Sequence, residues 1–582
     1  MRLPALSQPA QSRELTEAFA GLNRNLRCGD GEFSAMENLS SSAAPLLSPR
    51  APRGAVRTIA NPQGLLAKDA LAYVDGSKLV YGGYELEMNL STRAADCPKQ
   101  LISMGAYLLI FPDNKYLNTQ DLTDYGSLEA SVTTGEGATV TFTMCQADGA
   151  AFGDIPQQVS PPESPVNGQY WIDISQTPHQ LKVYSEPAAM WQPVAASYVK
   201  ISCPGIGQPF AQWDGVFISG CTKALNESLN DTQVITLRGD DYIVVRGMLD
   251  QVVTQTDPVT VERRVPRMDY VTESGNRVWG CRYGIEDGKA VNELYACKLG
   301  DPKNWNCLMG VSTDSYTVSL GSDGVFTGAA THLGYPLFFK ENCIHKIYGS
   351  FPANFQVVTT SCRGVQKGSA ASIATVDEVL FYKAVSGVCA YDGSLPASVS
   401  ERLGGQMYDD ASAGACGGKY YISMRDADGA YSLFVYDTLR GMWHREDATH
   451  ARFFTRSGSE LYYVDADSGV LTAVGGTEGT LEASVPWSAE TGEIGYSHPD
   501  NKYVSRLQLR MSLAPGATAR VSVQYDSSGK WEPKGVLTGT SVRSFLLPIL
   551  PVRCDHFKLR LEGTGDFRVY SLARVLEIGG DQ

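Results

Sequence analysis

Charge is scarce in this sequence. Asp, Glu, Lys and Arg make up 19% of the 582 residues, below the quarter or so usual in globular proteins. No C-x-x-C pair occurs among the 13 cysteines, which lie scattered from Cys28 to Cys554. That spacing excludes a zinc ribbon and a disulfide framework, and buried free thiols are expected instead. No stretch approaches the roughly 18–20 apolar residues of a membrane span. The greasiest run, around Ser544–Val552, is cut by Pro548 and Pro551. The opening Met1-Arg-Leu-Pro-Ala-Leu-Ser-Gln-Pro has no hydrophobic core for export, so a soluble protein made inside a cell is expected. The phosphate-binding G-x-x-x-x-G-K-[ST], the nucleophile-elbow G-x-S-x-G and the zinc-protease H-E-x-x-H are all missing.

Glycine and tyrosine are plentiful. Gly accounts for 58 residues, about a tenth against a typical 7%, and Tyr (29) outnumbers Phe (19). Many turns and many amphipathic rings suit a β-rich chain. The net charge is 49 − 63 = −14 and is unevenly placed. Residues 1–60 carry seven basic and five acidic side chains (+2), and residues 502–582 carry twelve and seven (+5). That leaves 61–501 with 30 against 51, or −21, which excludes a generic basic nucleic-acid coat.

The second half alternates with period two and repeats a unit: a short aromatic strand, a turn, and a second strand often closing on Tyr. The units begin near Tyr335, Val379, Lys419 and Glu460, about 40 residues apart, the spacing of propeller blades. Five to seven blades are expected. Looser copies stand at Lys78, Ala106 and Arg277, and the rhythm breaks between 114 and 266, where an insertion is expected. The final hundred residues, with Arg506-Leu-Gln-Leu-Arg-Met-Ser-Leu and Arg520-Val-Ser-Val-Gln-Tyr, read as a half-buried antiparallel sandwich. The fold class is therefore all-β: a β-propeller with an inserted β-rich domain and a C-terminal antiparallel β-sandwich. The divisions are 1–55 (an arm), 56–113 and 267–478 (propeller), 114–266 (insertion) and 479–582 (sandwich platform). Within the arm one short helix is expected over Ser12–Phe19, and the Pro-rich passage to Gly54 favours an outstretched chain.

Candidate chemistry is sparse. The acidic pairs Asp240/Asp241, Asp377/Glu378 and Asp409/Asp410 raise the two-carboxylate arrangement of glycosidases. Adjacent strand residues point to opposite faces, so a structural role is expected for each pair. The histidines His179, His332, His345, His444, His450, His498 and His556 show no ligand spacing. The turns Asp426/Asp428 and Asp465/Asp467 resemble the opening of a calcium loop. They lack the Glu at loop position twelve and read as hairpin turns, with any metal there left open. No catalytic, cofactor or metal residue is expected, and no cofactor.

Three passages carry a resemblance. Phe19-Ala-Gly-Leu-Asn-Arg-Asn, Gly29-Asp-Gly-Glu-Phe-Ser-Ala-Met-Glu-Asn-Leu and Leu47-Ser-Pro-Arg-Ala-Pro-Arg-Gly resemble the opening of bacteriophage tail proteins. Gly364-Val-Gln-Lys-Gly-Ser and the Gly387-Val…Tyr391-Asp-Gly-Ser blade are similar to the head–tail stabilisation and tail-nozzle propellers of short-tailed phages. So are Leu547-Pro, Arg553-Cys-Asp-His-Phe and Gly563-Thr-Gly-Asp. The resemblance implies a non-enzymatic virion protein of the tail, assembled in the host cytoplasm. It would form a ring, a hexamer, that joins portal, adaptor or other tail proteins and helps retain and eject the genome. DNA would pass its acidic wall without sequence-specific binding. The inserted domain would be fin-like. The alternative is a tail-associated propeller that binds or cleaves host surface glycan.

On the ring reading the first 55 residues form an assembly arm. Phe19 and Leu22 are its apolar anchors, and Asn23, Arg24, Arg27, Arg50 and Arg53 its polar contacts, with the arginines meeting carboxylates of an adjacent chain. Ordering such a segment alone costs about 1–2 kcal/mol per residue, so it should be ordered only on a neighbour and be removable without unfolding the rest.

Overall fold

The computed structural model describes residues 10–92, 98–498, 501–550 and 552–578, and short 3-10 turns are the only helical elements among them. The fold is a β-propeller with an inserted β-rich domain and a C-terminal antiparallel β-sandwich. Seven sheets follow the four-stranded antiparallel blade pattern: residues 62–87, 100–127, 270–319, 328–361, 374–398, 408–445, and 451–473 with 54–58.

The 40-residue rhythm marks second strands. Tyr335–Lys340, Val379–Ala384, Lys419–Asp426 and Glu460–Asp465 each lie second in their sheet and are largely buried. A strand covered on both faces reads as a nearly continuous apolar run. Its rings also meet those of the next blade: Phe339 lies 5.3 Å from Tyr382, and Phe381 5.3 Å from Tyr420. The aromatic repeat is thus the packing between blades, written along the chain. The blade at 451–473 takes its fourth strand, Gly54–Thr58, from near the start of the chain, pairing with Val470–Ala473. A Cβ at Gly54 would meet the Glu478 carbonyl oxygen at 1.8 Å, so only glycine fits there.

The chain falls into two compact units. One runs to Lys99 and adds Phe338–His345 and the residues from Thr359 onward; the other holds Gln100–Leu337 and Lys346–Val358. In the second unit, Lys115–Asn118 and Tyr125–Ser127 complete the blade at 100–127, so the insertion starts after that blade rather than at 114. It spans 130–263 as two sheets around Val140, Phe142, Ile201, Ile218 and Val261, with a smaller sheet at 157–193.

In the first unit, one sandwich sheet runs in the order Ala10–Thr16, Phe567–Ile578, Lys502–Leu513, Arg543–Leu547, with Arg553–Cys554 also on Lys502–Leu513. The facing strands are Glu32–Glu37, Pro486–Thr491, Phe557–Thr564, Thr518–Tyr525 and Glu532–Leu537. They are continuous with the blade at 408–445, because Gly21–Leu22 sits between Met442–Arg445 and Glu32–Glu37 and makes one ten-stranded sheet.

Two expectations are corrected here. The helix expected over Ser12–Phe19 is a strand, Ala10–Thr16, paired residue for residue with Leu572–Ile578. A short amphipathic segment gains more from an open sheet edge than from a helix too short to hold itself. The outstretched arm is, from residue 10, part of the chain's own core. Leu22, Phe33 and Met36 are at most 2% exposed and pack with Trp443 and Trp487.

Candidate functional site

The expected arm residues come first. Phe19 is buried and stacks on Phe33, with ring centroids 6.0 Å apart. Leu22 is fully buried opposite Trp443. Asn23 donates to Glu32 at 2.6 Å, and Arg24 donates to the Tyr408 hydroxyl at 2.7 Å and lies over the Phe434 ring. Arg50 donates to both oxygens of Glu482, at 2.6 and 3.0 Å, and to Asn38 at 2.7 Å. Arg53 reaches Glu446 at 2.5 Å and Asp447 at 2.7 Å. The carboxylates expected on an adjacent chain therefore belong to this one. Of the seven residues only Arg27 stands exposed.

The Arg53 site is buried. Burial by itself would lower the guanidinium's pKa, but the charge of Glu446, with Tyr463 and Asp447, holds it well above its ordinary value. Burial raises Asp447 and Glu482, and the paired arginines outweigh it, so both carboxyls lie below their usual range. The basic N-terminus thus meets the acidic middle within one chain.

Arg27 stands at the mouth of a cavity of about 500 Å³, floored by Phe19, Phe33, Leu509, Leu559 and Leu572. Its polar rim is already engaged: Arg574 holds Glu14 at 2.6 Å, Thr16 at 3.0 Å and Asp30 at 2.9 Å. These contacts fasten the first strand to the sandwich.

A second polar cluster is built differently. The strands Tyr408–Cys416 and Ala451–Ser457 open adjacent blade sheets, and each carries a β-bulge after its second residue. The residue after the break is left-handed in both, Asp410 at φ 43° and Phe453 at φ 53°. A bulge inserts an unpaired residue and re-aims side chains. Here it ends the strict alternation that had separated Asp409 from Asp410. Asp409 holds Arg425 at 2.8 Å. Asp410 accepts the Tyr431 hydroxyl at 2.5 Å and Arg452 at 3.1 Å. The expectation that neighbouring carboxylates could not share a site is corrected for this pair, since Arg425, bound by Asp409, and Tyr431, bound by Asp410, are cross-strand partners.

His450 completes the cluster. Its ring stacks on Tyr431, with centroids 3.6 Å apart and planes 12° from parallel. Its Nε2 accepts from Arg452 at 3.1 Å, so the proton sits on Nδ1, which donates to Asp467 at 3.2 Å. Burial, aided by the Arg452 charge, holds His450 below its usual pKa against the pull of Asp467. Burial and then the Asp410 hydrogen bond push Tyr431 up to about 12, so the phenol stays a donor. The side chains of Arg452, Asp410, Arg425 and Asp409 are 20–50% exposed. Within a few ångströms, water meets two guanidinium groups, two carboxylates and a neutral imidazole on an aromatic face.

The other acidic candidates are structural. Asp377 (φ 44°) and Glu378 (φ 70°) form the two-residue turn between Val376 and Val379. Asp240 pairs with Arg238, and Asp241 accepts the Gly205 N–H at 2.8 Å. Asp426 accepts the N–H groups of Asp428 and Ala430, and Asp465 those of Asp467 and Ser468, closing their hairpins. Among the described residues no group of three His, Cys, Asp or Glu side chains could hold a metal ion.

Tyr431 and Arg452 do not stand out in the sequence, and His450 shows there only a spacing unsuited to metal ligation. The one available signal was register: Asp409 and Arg452 occupy the same place in consecutive repeats.

No protein-family model matches the chain, and no curated protein matches it. Two solved structures of an exo-β-1,3-galactanase from Phanerochaete chrysosporium compare with it. One, bound to galactose, is 10% identical and covers 52% of this chain and 94% of that one, with a TM-score of 0.21. The other, a variant bound to β-1,3-galactotriose, is 9% identical and covers 70% and 99%, with a TM-score of 0.18. Likenesses of this size transfer no residue roles. Both structures are of a galactanase, so the expectation of a non-enzyme is withdrawn, and at these TM-scores they assign this chain no activity.

Proposed function

We propose that this chain is a glycan-handling β-propeller protein whose sugar site is the cluster of Asp409, Asp410, Arg425, Tyr431, His450 and Arg452. The observation that carries the reading is the pair of matching bulges, which throw Asp410 and Arg452 together from adjacent blades yet leave both in contact with water. Backbone held in left-handed conformations by non-glycine residues is a cost that concentrates at functional sites. A polyhydroxylated ligand needs donors and acceptors fixed at close range, and the two arginines, two carboxylates and neutral His450 supply them without a net charge to repel a neutral sugar. Cleavage of a bound chain would run through the two carboxylates. The test measures binding of purified bacterial surface polysaccharide and release of reducing ends. Asp410→Asn and Arg452→Ala are each expected to abolish binding with an unchanged circular dichroism spectrum. Undiminished binding by both variants would overturn the reading.

A second reading, a ring-forming structural protein of a phage tail, is favoured by a separate observation. Among the described residues, the five-stranded sandwich sheet ends on two open strands, Ala10–Thr16 and Arg543–Leu547, each exposing a leucine, Leu15 and Leu546. Open edges invite strand addition, and two different edges joined head to tail generate a ring. Such a ring, a hexamer on the phage resemblance, would sit in the virion between portal or adaptor and other tail proteins and let DNA pass. Leu15→Pro and Leu546→Pro should each give monomers by light scattering, whereas mixing the two should restore heterodimers through the one intact edge on each. Ring-sized particles from either variant alone would rule this reading out.

A further inference from the structure

The two sandwich sheets enclose, among the described residues, the cavity of about 500 Å³ whose mouth carries Arg27. That volume lies within the range of small-molecule sites. Leu509 and Leu572 line it from one sheet, and Phe33, Leu559 and Leu561 from the other. Phe19 adds its ring from the stretch before Gly21–Leu22. All six side chains are at most 6% exposed, and none carries a hydrogen-bonding group. Protein interiors pack at close to crystal density, so a space of this size is not ordinary sandwich packing. Its lining forgoes contacts that an apolar occupant would restore.

The mouth is made by two loops held against each other. A Cβ at Gly492 would meet that of Cys28 at 2.5 Å, so the loops at 26–31 and 492–497 approach only because 492 has no side chain. Each carboxylate of the mouth is already committed. Arg574 holds Glu14 at 2.6 Å and Asp30 at 2.9 Å. Glu32 accepts from Asn23 at 2.6 Å and from the Gly29 N–H at 2.7 Å, and pairs with Arg402 at 3.0 Å. Glu493 accepts the hydroxyls of Ser527, at 2.6 Å, and of Tyr496. Arg27 differs: it is exposed and has no hydrogen bond or ion pair among the described residues. Leu26 beside it is fully exposed. Among the described residues lining the cavity, the uncommitted charge is thus one guanidinium, and it stands over an apolar floor.

We propose that this cavity binds a single-chain aliphatic carboxylate, a fatty acid of medium length, with its tail between the sheets and its head on Arg27. A floor of Phe and Leu side chains suits methylenes and turns away sugars, whose hydroxyls would be buried without partners. The planar guanidinium matches the two oxygens of a carboxylate. Walls already fixed by the close approach at Gly492 and by the Arg574 ion pairs lose little entropy on binding. The inference goes beyond glycan handling and does not depend on it.

Calorimetric titration of the full chain with hexanoate, octanoate and decanoate tests it. Burying each further methylene should tighten binding about fourfold, so each two-carbon step is expected to lower Kd about tenfold or more. Arg27→Gln should weaken decanoate about fivefold and leave 1-decanol unchanged. Leu561→Trp, which fills the space between the sheets, should abolish binding of both. Arg27→Gln changes an exposed side chain and covers the case in which the filled variant misfolds. Decanoate is also expected to slow maleimide labelling of Cys28 at the mouth, followed by peptide mass spectrometry. Affinity that does not rise with chain length, or equal loss of decanoate and decanol in Arg27→Gln, overturns the proposal. A wild-type dimer that becomes a monomer in Leu561→Trp on gel filtration overturns it too and gives the cavity to a second copy of the chain.

Discussion

Two of the places where arginine and carboxylate meet in the first unit have opposite consequences. At Arg50 and Arg53 the guanidinium side chains are 4–6% exposed and their partners come from residues 446–482. At Asp410 and Arg452 similar groups meet at 3.1 Å with 30% and 20% of their side chains exposed. The first set fastens the N-terminal segment to the propeller and cannot be broken cheaply, because a buried charge left unpaired is costly. The second adds little to stability and is open to exchange partners with a ligand. Burial, more than residue type, separates a fastening from a site.

The harshest way to break the comparison is truncation. Removing residues 1–54 deletes the strand Ala10–Thr16, the strip Gly21–Leu22 between two sheets, and the core side chains Phe19, Leu22, Phe33 and Met36. The truncated chain is expected to be insoluble or to lose its cooperative melting transition, checked by gel filtration and calorimetry. A folded product would mean that the segment is dispensable, as the sequence suggested.

Next in size is Arg53→Met. Leaving Glu446 and Asp447 with only the longer Arg50 contacts, at 4.0 and 3.7 Å, should cost about 3 kcal/mol in urea unfolding. Arg452→Met, at the wet cluster, should cost no more than about 1 kcal/mol. Equal losses at the two sites would erase the distinction.

Acid gives a graded version. Asp447 and Glu482 titrate lower in the folded chain than their ordinary values of about 4. Depressed carboxyls contribute stability that is fully present above the unfolded pKa and lost as pH falls through the folded one. Melting temperature should therefore drop as pH falls below about 4, and Arg53→Met should flatten that drop. The smallest expected effect is Tyr431→Phe, which removes one hydrogen bond to Asp410. It should move stability by no more than about 1 kcal/mol while weakening polysaccharide binding.

Much of the architecture was legible because it is periodic. The strands at Val379, Lys419 and Glu460 announce themselves because a blade's second strand is buried on both faces and repeats with its neighbours. The N-terminal segment was misread for the complementary reason. Gly21–Leu22 is two residues long and has no period of its own; it is a strand because Met442–Arg445 and Glu32–Glu37 lie on either side of it. The wet cluster escaped too, because alternation assigns Asp409 and Asp410 to opposite faces and no local signal announces a bulge.

The sequence by itself determined that this is an all-β chain of repeated blades, an insertion and a sandwich, since hydrophobic period and turn residues act within a few positions of one another. Only the tertiary structure decided which charges are fastenings and which are open to ligand. Arg53 meets Glu446 across nearly four hundred residues, and Asp410 reaches Arg452 through a bulge whose geometry depends on the neighbouring strand. Burial and register are properties of the folded chain, and they set both the strength of an ion pair and its freedom to change partners.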